Sequence, residues 1–173
     1  MDTKKHKVMY VRNVVFGIED SLVSTVGLLS GIAVSDVSTA TIILTGVVLI
    51  FVESISMAAG SLISEHQASE YESRKDLPLG KARFAALLMF VSYLLAGLVP
   101  LWPYFLFSHP TALWTSIGTT LVCLFLLGAV SAIRFGVRPL YEGFRTLLIG
   151  GVAILVGVLV GKLLEYFGVI AHP

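Results

Sequence analysis

The sequence predicts an all-α membrane protein of five transmembrane helices, with its N-terminus in the cytoplasm and its C-terminus outside. Three observations predict it. Hydrophobic residues fill 56% of the 173 positions and charged residues only 13%, about half the charge an average soluble domain carries. Mean hydropathy is +0.89. The apolar residues also fall in blocks of membrane-spanning length rather than in short amphipathic stripes. A water-soluble single domain is excluded. The formal net charge of +1 gives no footprint for nucleic acid, and none is expected as a partner. Cys123, the sole cysteine, excludes a disulfide framework or thiolate cluster and reads as a small buried hydrophobe.

The elements follow in order within one transmembrane domain, 1–173. Span one covers about 13–34 and span two about 40–64, then comes a short acidic cytoplasmic segment, 65–83. Spans three, four and five cover about 84–107, 112–133 and 143–167. Each can cross ~30 Å of hydrocarbon at ~1.5 Å per residue. Lys4, Lys5, Lys7 and Arg12 precede span one, while Arg74, Lys75, Lys81 and Arg83 lie between spans two and three. Arg134, Arg138 and Arg145 surround the turn between spans four and five. The opposite turns, 35–39 and 108–111, hold no Lys or Arg, so the positive-inside rule sets the orientation. Ala33-Val34-Ser35 has the look of a signal-peptide cleavage site, but Glu19 and Asp20 interrupt the preceding apolar run, which is also too long. Span one is therefore read as retained.

The informative residues are acids inside spans: Glu19 and Asp20 in the first, Glu53 in the second. A central Asp costs about 2.5 to 3.5 kcal/mol on insertion scales, so such groups must face protein, water or an ion. Asn13, Gly17, Asp20, Ser24, Gly27 and Gly31 recur at spacings of four and three, one polar and small stripe on a helix face. Gly46, Glu53, Met57, Gly60 and Ser64 repeat it on span two. For the glycines, including Gly27-x-x-x-Gly31 and Gly157-x-x-x-Gly161, helix packing is the expected role. Packing does not explain carboxylates on the same faces.

Depth sharpens this reading. Asp20 lies eight residues after Arg12 and Met57 eight before Glu65, which places both ~12 Å deep. Glu53 is one turn deeper, level with Ser24. Carboxylates alone suit hard ions, whereas an added thioether favours softer transition metals, so Fe²⁺ fits, with Mn²⁺, Co²⁺ and Zn²⁺ as rivals. Glu19 is rotated ~100° from Asp20 and is expected against a neighbouring helix, with Arg134 or Arg145 as partner.

These residues resemble the vacuolar iron transporter family. Asn13-Val-Val-Phe-Gly-Ile-Glu-Asp-Ser-Leu-Val-Ser-Thr-Val-Gly-Leu-Leu-Ser-Gly looks like its first-helix signature, and Ser56-Met57-Ala58-Ala59-Gly60 like its second-helix motif. Arg145-Thr-Leu-Leu-Ile-Gly-Gly and Gly161 match the last helix, while spans three and four match mainly as hydropathy. The resemblance implies a five-helix protomer in a homodimer, with a path lined by helices one and two of both subunits. It further implies export of cytosolic Fe²⁺, and often Mn²⁺, against protons. The family's intramembrane aspartate maps to Asp20 and its translocation methionine to Met57. Ser21 and Ser61 stand where the family often has Gly and Glu, which implies fewer acids at the inner mouth, with Glu53 compensating one turn away. The chain is similar to short forms, lacking the large cytoplasmic metal-binding domain of eukaryotic members.

The segment 65–83 still offers Glu65, His66, Glu70, Glu72 and Asp76. As an extension of span two, His66 and Glu70 share one face and Glu65 and Glu72 another. They could gather cations or bind metal weakly, or form a solvated helix face. Pro100, Trp102, Pro103, Tyr104 and Trp114 read as interfacial anchors and helix breaks.

The expectation is a divalent-metal transporter with no permanently bound cofactor and no catalytic residues, working by alternating access or a gated path. Asp20, Glu53 and Met57 would be the metal ligands, with Ser24, Gly60 and Ser61 lining the path. Its partners would be Fe²⁺ or Mn²⁺, the lipid bilayer and a second copy. The membrane would be the cell membrane in a prokaryote, or a vacuolar or other organellar one in a eukaryote. The alternative is a structural or scaffolding membrane protein whose acids only pack helices. An intramembrane enzyme is disfavoured, because no His pair, serine–base constellation or phosphate loop appears.

Overall fold

A computed structural model describes the backbone over residues 2–35, 37–73 and 79–167, and side chains from residue 6 and only to 71 in the second stretch. Among these residues all regular structure is helical: α1 (Asp2–Ala33), α2 (Thr39–Ser73), α3 (Gly80–Leu101), α4 (Pro103–Leu106), α5 (His109–Phe135) and α6 (Pro139–Tyr166). Five of them, all but α4, are long and apolar enough to cross a bilayer. The chain is an all-α, multi-pass membrane protein.

Local chemistry sets the ends. Ser38 caps α2 by accepting a hydrogen bond from the Thr41 N–H at 3.2 Å. Proline occupies the first turn of α4, α5 and α6, where a missing N–H goes unnoticed. Helix α5 closes on Gly136 at φ 71°, a left-handed residue that lets the Val137 N–H reach back to the Ala132 carbonyl at 3.0 Å. The third span is shorter at its far end than the drawn 84–107. It stops at Leu101, because Pro103 supplies no N–H to continue it, and the chain restarts as one turn, α4. Pro100 sits inside α3, and its carbonyl accepts a bond from Ser116 Oγ of α5 at 2.6 Å. The expected extension of span two is present, since α2 runs on to Ser73.

Helix α1 occupies the centre. It packs most extensively on α3 and α6, and less on α5 and α2; α3 fills the space between α1 and α2. Helices α2 and α6 leave broad faces of Val, Leu and Ile uncovered, as lipid-facing surfaces require. The glycines of α1 and α6 interlock: a Cβ on Gly31 would lie 2.6 Å from the Gly157 carbonyl oxygen, and one on Gly161 would overlap the Gly31 carbonyl. Such close backbone approach is how small residues hold membrane helices together without a hydrophobic driving force. Ser35 Oγ finishes the contact by donating to Gly161 O at 3.2 Å.

This divides the stripe expected on one face of α1. Gly27 and Gly31 turn to α6, while Gly17 meets Met89 and Ser92 of α3. Only the polar members remain for a path.

Candidate metal path

The Lys- and Arg-rich end of the bundle, the basic end, holds the first part of the site. Arg12 of α1 and Glu65 of α2 form an ion pair there. Asn13 Nδ2 donates to the same Glu65 oxygen at 3.1 Å and to Met9 O at 3.0 Å, and Ser61 Oγ donates to Asn13 Oδ1. Asn13 and Glu65 are 3% and 7% exposed. Both are polar groups whose burial is acceptable only because they are paired. Glu65 therefore points inward, compensated by Arg12, rather than standing in solvent on the helix extension.

Behind this pair lies a cavity of about 360 Å³. Phe16 of α1, Met57, Gly60, Ser61 and Ser64 of α2, and Met89 of α3 complete its wall. It thus combines two thioethers with hydroxyls and one carboxylate. Gly60 is exposed, and a Cβ there would meet nothing within 4 Å. The wall is open on that side of α2.

A second polar level lies deeper. Tyr93 of α3 is 0% exposed. Its hydroxyl donates to Glu53 Oε2 at 2.9 Å and lies 2.7 Å from Ser24 Oγ. A phenol has one proton; with that given to the carboxylate, it accepts from Ser24. Ser21 Oγ holds the same residue from behind, donating to Tyr93 O at 2.7 Å. Asp20 is within electrostatic reach of Glu53.

Two cross-ties thus fix the antiparallel register of α1 and α2: Arg12–Glu65 at the basic end and Ser24–Tyr93–Glu53 further in. Asp20 is eight residues past Arg12 and Met57 eight before Glu65, so both fall between the ties at one depth. Met57 faces the cavity, whereas among the described residues Asp20 is not part of its wall. Asp20 and Glu53 feel each other's charge, and Met57 shares the depth of Asp20. Among the described residues, no three of His, Cys, Asp and Glu gather closely enough to hold an ion.

The remaining candidates are scattered. His66 Nε2 lies 3.1 Å from Glu70 Oε1, the expected pair across one helical turn. The Glu72 side chain lies outside the described residues, and so does Asp76. Glu19 lines a separate cavity of about 210 Å³ between α1, α5 and α6, with Glu142, Ser131 and Thr146 among its walls. It is in electrostatic reach of Arg145, which pairs with Glu142 at 3.4 Å.

Sequence reasoning missed Tyr93 and Met89. The available signal for Tyr93 was its depth, ten residues past Arg83 in an otherwise apolar span, where a buried phenol needs a partner. Met89 carries no such signal, since a methionine in a membrane helix is ordinary filler.

A model of the VIT family matches residues 11–77 and 73–162 of this chain. Over 70 residues, 40% of the chain, it is 40% identical to Vacuolar iron transporter 1 of Oryza sativa subsp. japonica. Over 87 residues, 50% of the chain, it is 31% identical to Vacuolar iron transporter 1 of Arabidopsis thaliana. The matched stretches span 28% and 35% of those two relatives.

Proposed function

The chain belongs to the VIT family, and from that premise we propose that it is a transporter, not an enzyme, carrying divalent transition metal out of the cytosol. Fe²⁺ is the favoured cargo and Mn²⁺ the second. The basic end is cytoplasmic by the positive-inside rule. A second copy seated on the open side of α2 would bring two sets of Asp20, Glu53 and Met57 around one path, since a two-fold axis presents the same residues twice. That doubling answers the small donor set of a single copy.

The observation that carries this reading is the polar file from the basic end inward: Arg12–Glu65, the Met57 cavity with Asp20 at the same depth, then Glu53 with Tyr93 and Ser24. Each acid retained in hydrocarbon has an energetic cost, and packing does not require these. Gly27 and Gly31 of α1 make their close contacts with α6, whereas Glu53 is tied to Tyr93 of α3. A purely structural role accounts for the bond that Glu53 accepts from Tyr93, but it gives no reason for Asp20 on the same face.

The steps follow from the chemistry. His66 and Glu70 attract cations to the mouth. A dication competes with the Arg12 guanidinium for Glu65, then exchanges water for the Met57 thioether, a donor suited to softer metals. Asp20 meets it at the same depth, and Glu53 takes it further. Protons entering from the far side compete for the same carboxylate oxygens and release the metal, because a carboxylate cannot hold both at once.

Purified protein in liposomes tests this. Fe²⁺ flux is expected, together with opposing proton movement recorded by a pH-sensitive dye. Absence of Fe²⁺ and Mn²⁺ flux would contradict the transport reading, and metal movement without proton counterflow would contradict exchange.

A further inference from the structure

The hydroxyl of Tyr93 reaches the path from a helix outside the pair assigned to line it. Its position is held from three sides. The ring is 0% exposed. Ser21 of α1 bonds its carbonyl at 2.7 Å. One turn on, Gly97 admits Ile50 of α2 so closely that a Cβ there would lie 2.7 Å from Ile50 Cγ1. The phenol is therefore a fixed strut between α1 and α2, with its hydroxyl 2.9 Å from Glu53 Oε2 and 2.7 Å from Ser24 Oγ.

Resting on the transport reading above, we infer that Tyr93 is a positioning residue of the metal path: its hydroxyl, supported by Ser24, holds the Glu53 carboxylate in place for metal arriving from the Asp20–Met57 level. A glutamate has three side-chain torsions, and an untethered carboxylate must lose that freedom on each binding event. One donated hydrogen bond removes the search while using one of about four acceptor sites, leaving the rest for a cation. Phenylalanine would fill the same space and could not do this.

The test is a double-mutant cycle read by anaerobic Fe²⁺ titration of the purified full-length protein, so that variants unable to transport remain measurable. Y93F is expected to weaken Fe²⁺ binding about tenfold, the scale of one hydrogen bond to a charged group. E53Q is expected to weaken it at least as much, and Y93F/E53Q to match E53Q within about twofold, because the phenol acts only through that carboxylate. Equal losses from Y93F in the wild-type and E53Q backgrounds would overturn the inference, since a packing role ignores position 53. Binding by Y93F or E53Q within about twofold of wild type would also overturn it. If Y93F fails to fold, S24A removes the support from the other side and is expected to weaken binding about threefold, again only when Glu53 is present. Wild-type protein that binds no Fe²⁺, or D20A and M57A that bind like wild type, would instead sink the transport reading itself. Normal loss in D20A and M57A with a silent Y93F would remove Tyr93 alone.

Discussion

Arg12 and Glu65 form an unequal ion pair: the Arg12 side chain is 67% exposed and that of Glu65 only 10%. The buried member is the acid, and its partner is a solvated lid on the cavity that holds Met57. R12A should therefore act in two directions. It leaves Glu65 with Asn13 as a neutral partner, lowering stability by about 1 to 2 kcal/mol, because water replaces an exposed guanidinium only in part. It also frees a carboxylate at the mouth, so the Fe²⁺ concentration for half-maximal flux should fall. Thermal unfolding in detergent and flux in liposomes check the two signs. A lower melting temperature with weaker metal capture would contradict the assignment of Glu65 to the path.

The α1–α6 contact predicts a sharp contrast between neighbouring glycines. A methyl group at Gly157 would overlap the Gly27 carbonyl, while one at Gly151 meets nothing within 4 Å. G157A should destabilise by about 1 to 3 kcal/mol, the cost of overpacking a close contact. G151A should be neutral or slightly stabilising, as Ala is the better helix former. Equal melting temperatures for the two variants would show that α1 and α6 do not approach as described.

Gly60 separates the single copy from the proposed pair. Among the described residues, a Cβ there would meet nothing within 4 Å. G60W should fold with little change in stability, yet lose the dimer by size-exclusion analysis and lose most of its flux. A G60W protein that transports normally would remove the open side of α2 as the meeting surface.

Glu19 and Asp20 are adjacent in sequence but differ in surroundings. Glu19 shares its cavity with Glu142, and Asp20 shares its field with Glu53. E19Q should keep Fe²⁺ affinity within about threefold of wild type, whereas D20N should lose at least tenfold by removing a charged ligand. Comparable losses in both would mean that the two sides of α1 form one path.

The bundle was largely legible in the sequence because hydrocarbon imposes strict terms. It fixes span length and makes every internal charge costly, so the five spans and the acids Asp20 and Glu53 stand out without tertiary knowledge. Register was legible too, since Arg12 and Glu65 count depth from the same end. What stayed hidden depends on which helix lies next to which. The stripe of small residues on α1 did not reveal that Gly27 and Gly31 serve α6, because a glycine packs equally well against any neighbour. Ser61 read as a missing acid at the mouth; in the fold it joins Glu65, one turn on, through Asn13. Tyr93 stayed hidden because α3 was judged by hydropathy, and a phenol gains its role only where α3 wedges between α1 and α2.

The most direct test of the central claim is Fe²⁺ flux across liposomes containing wild-type protein, D20A or M57A. The account predicts saturable flux for wild type, a loss of at least about tenfold in D20A, and a marked loss in M57A with all three proteins equally folded. Undiminished flux in both variants would contradict it.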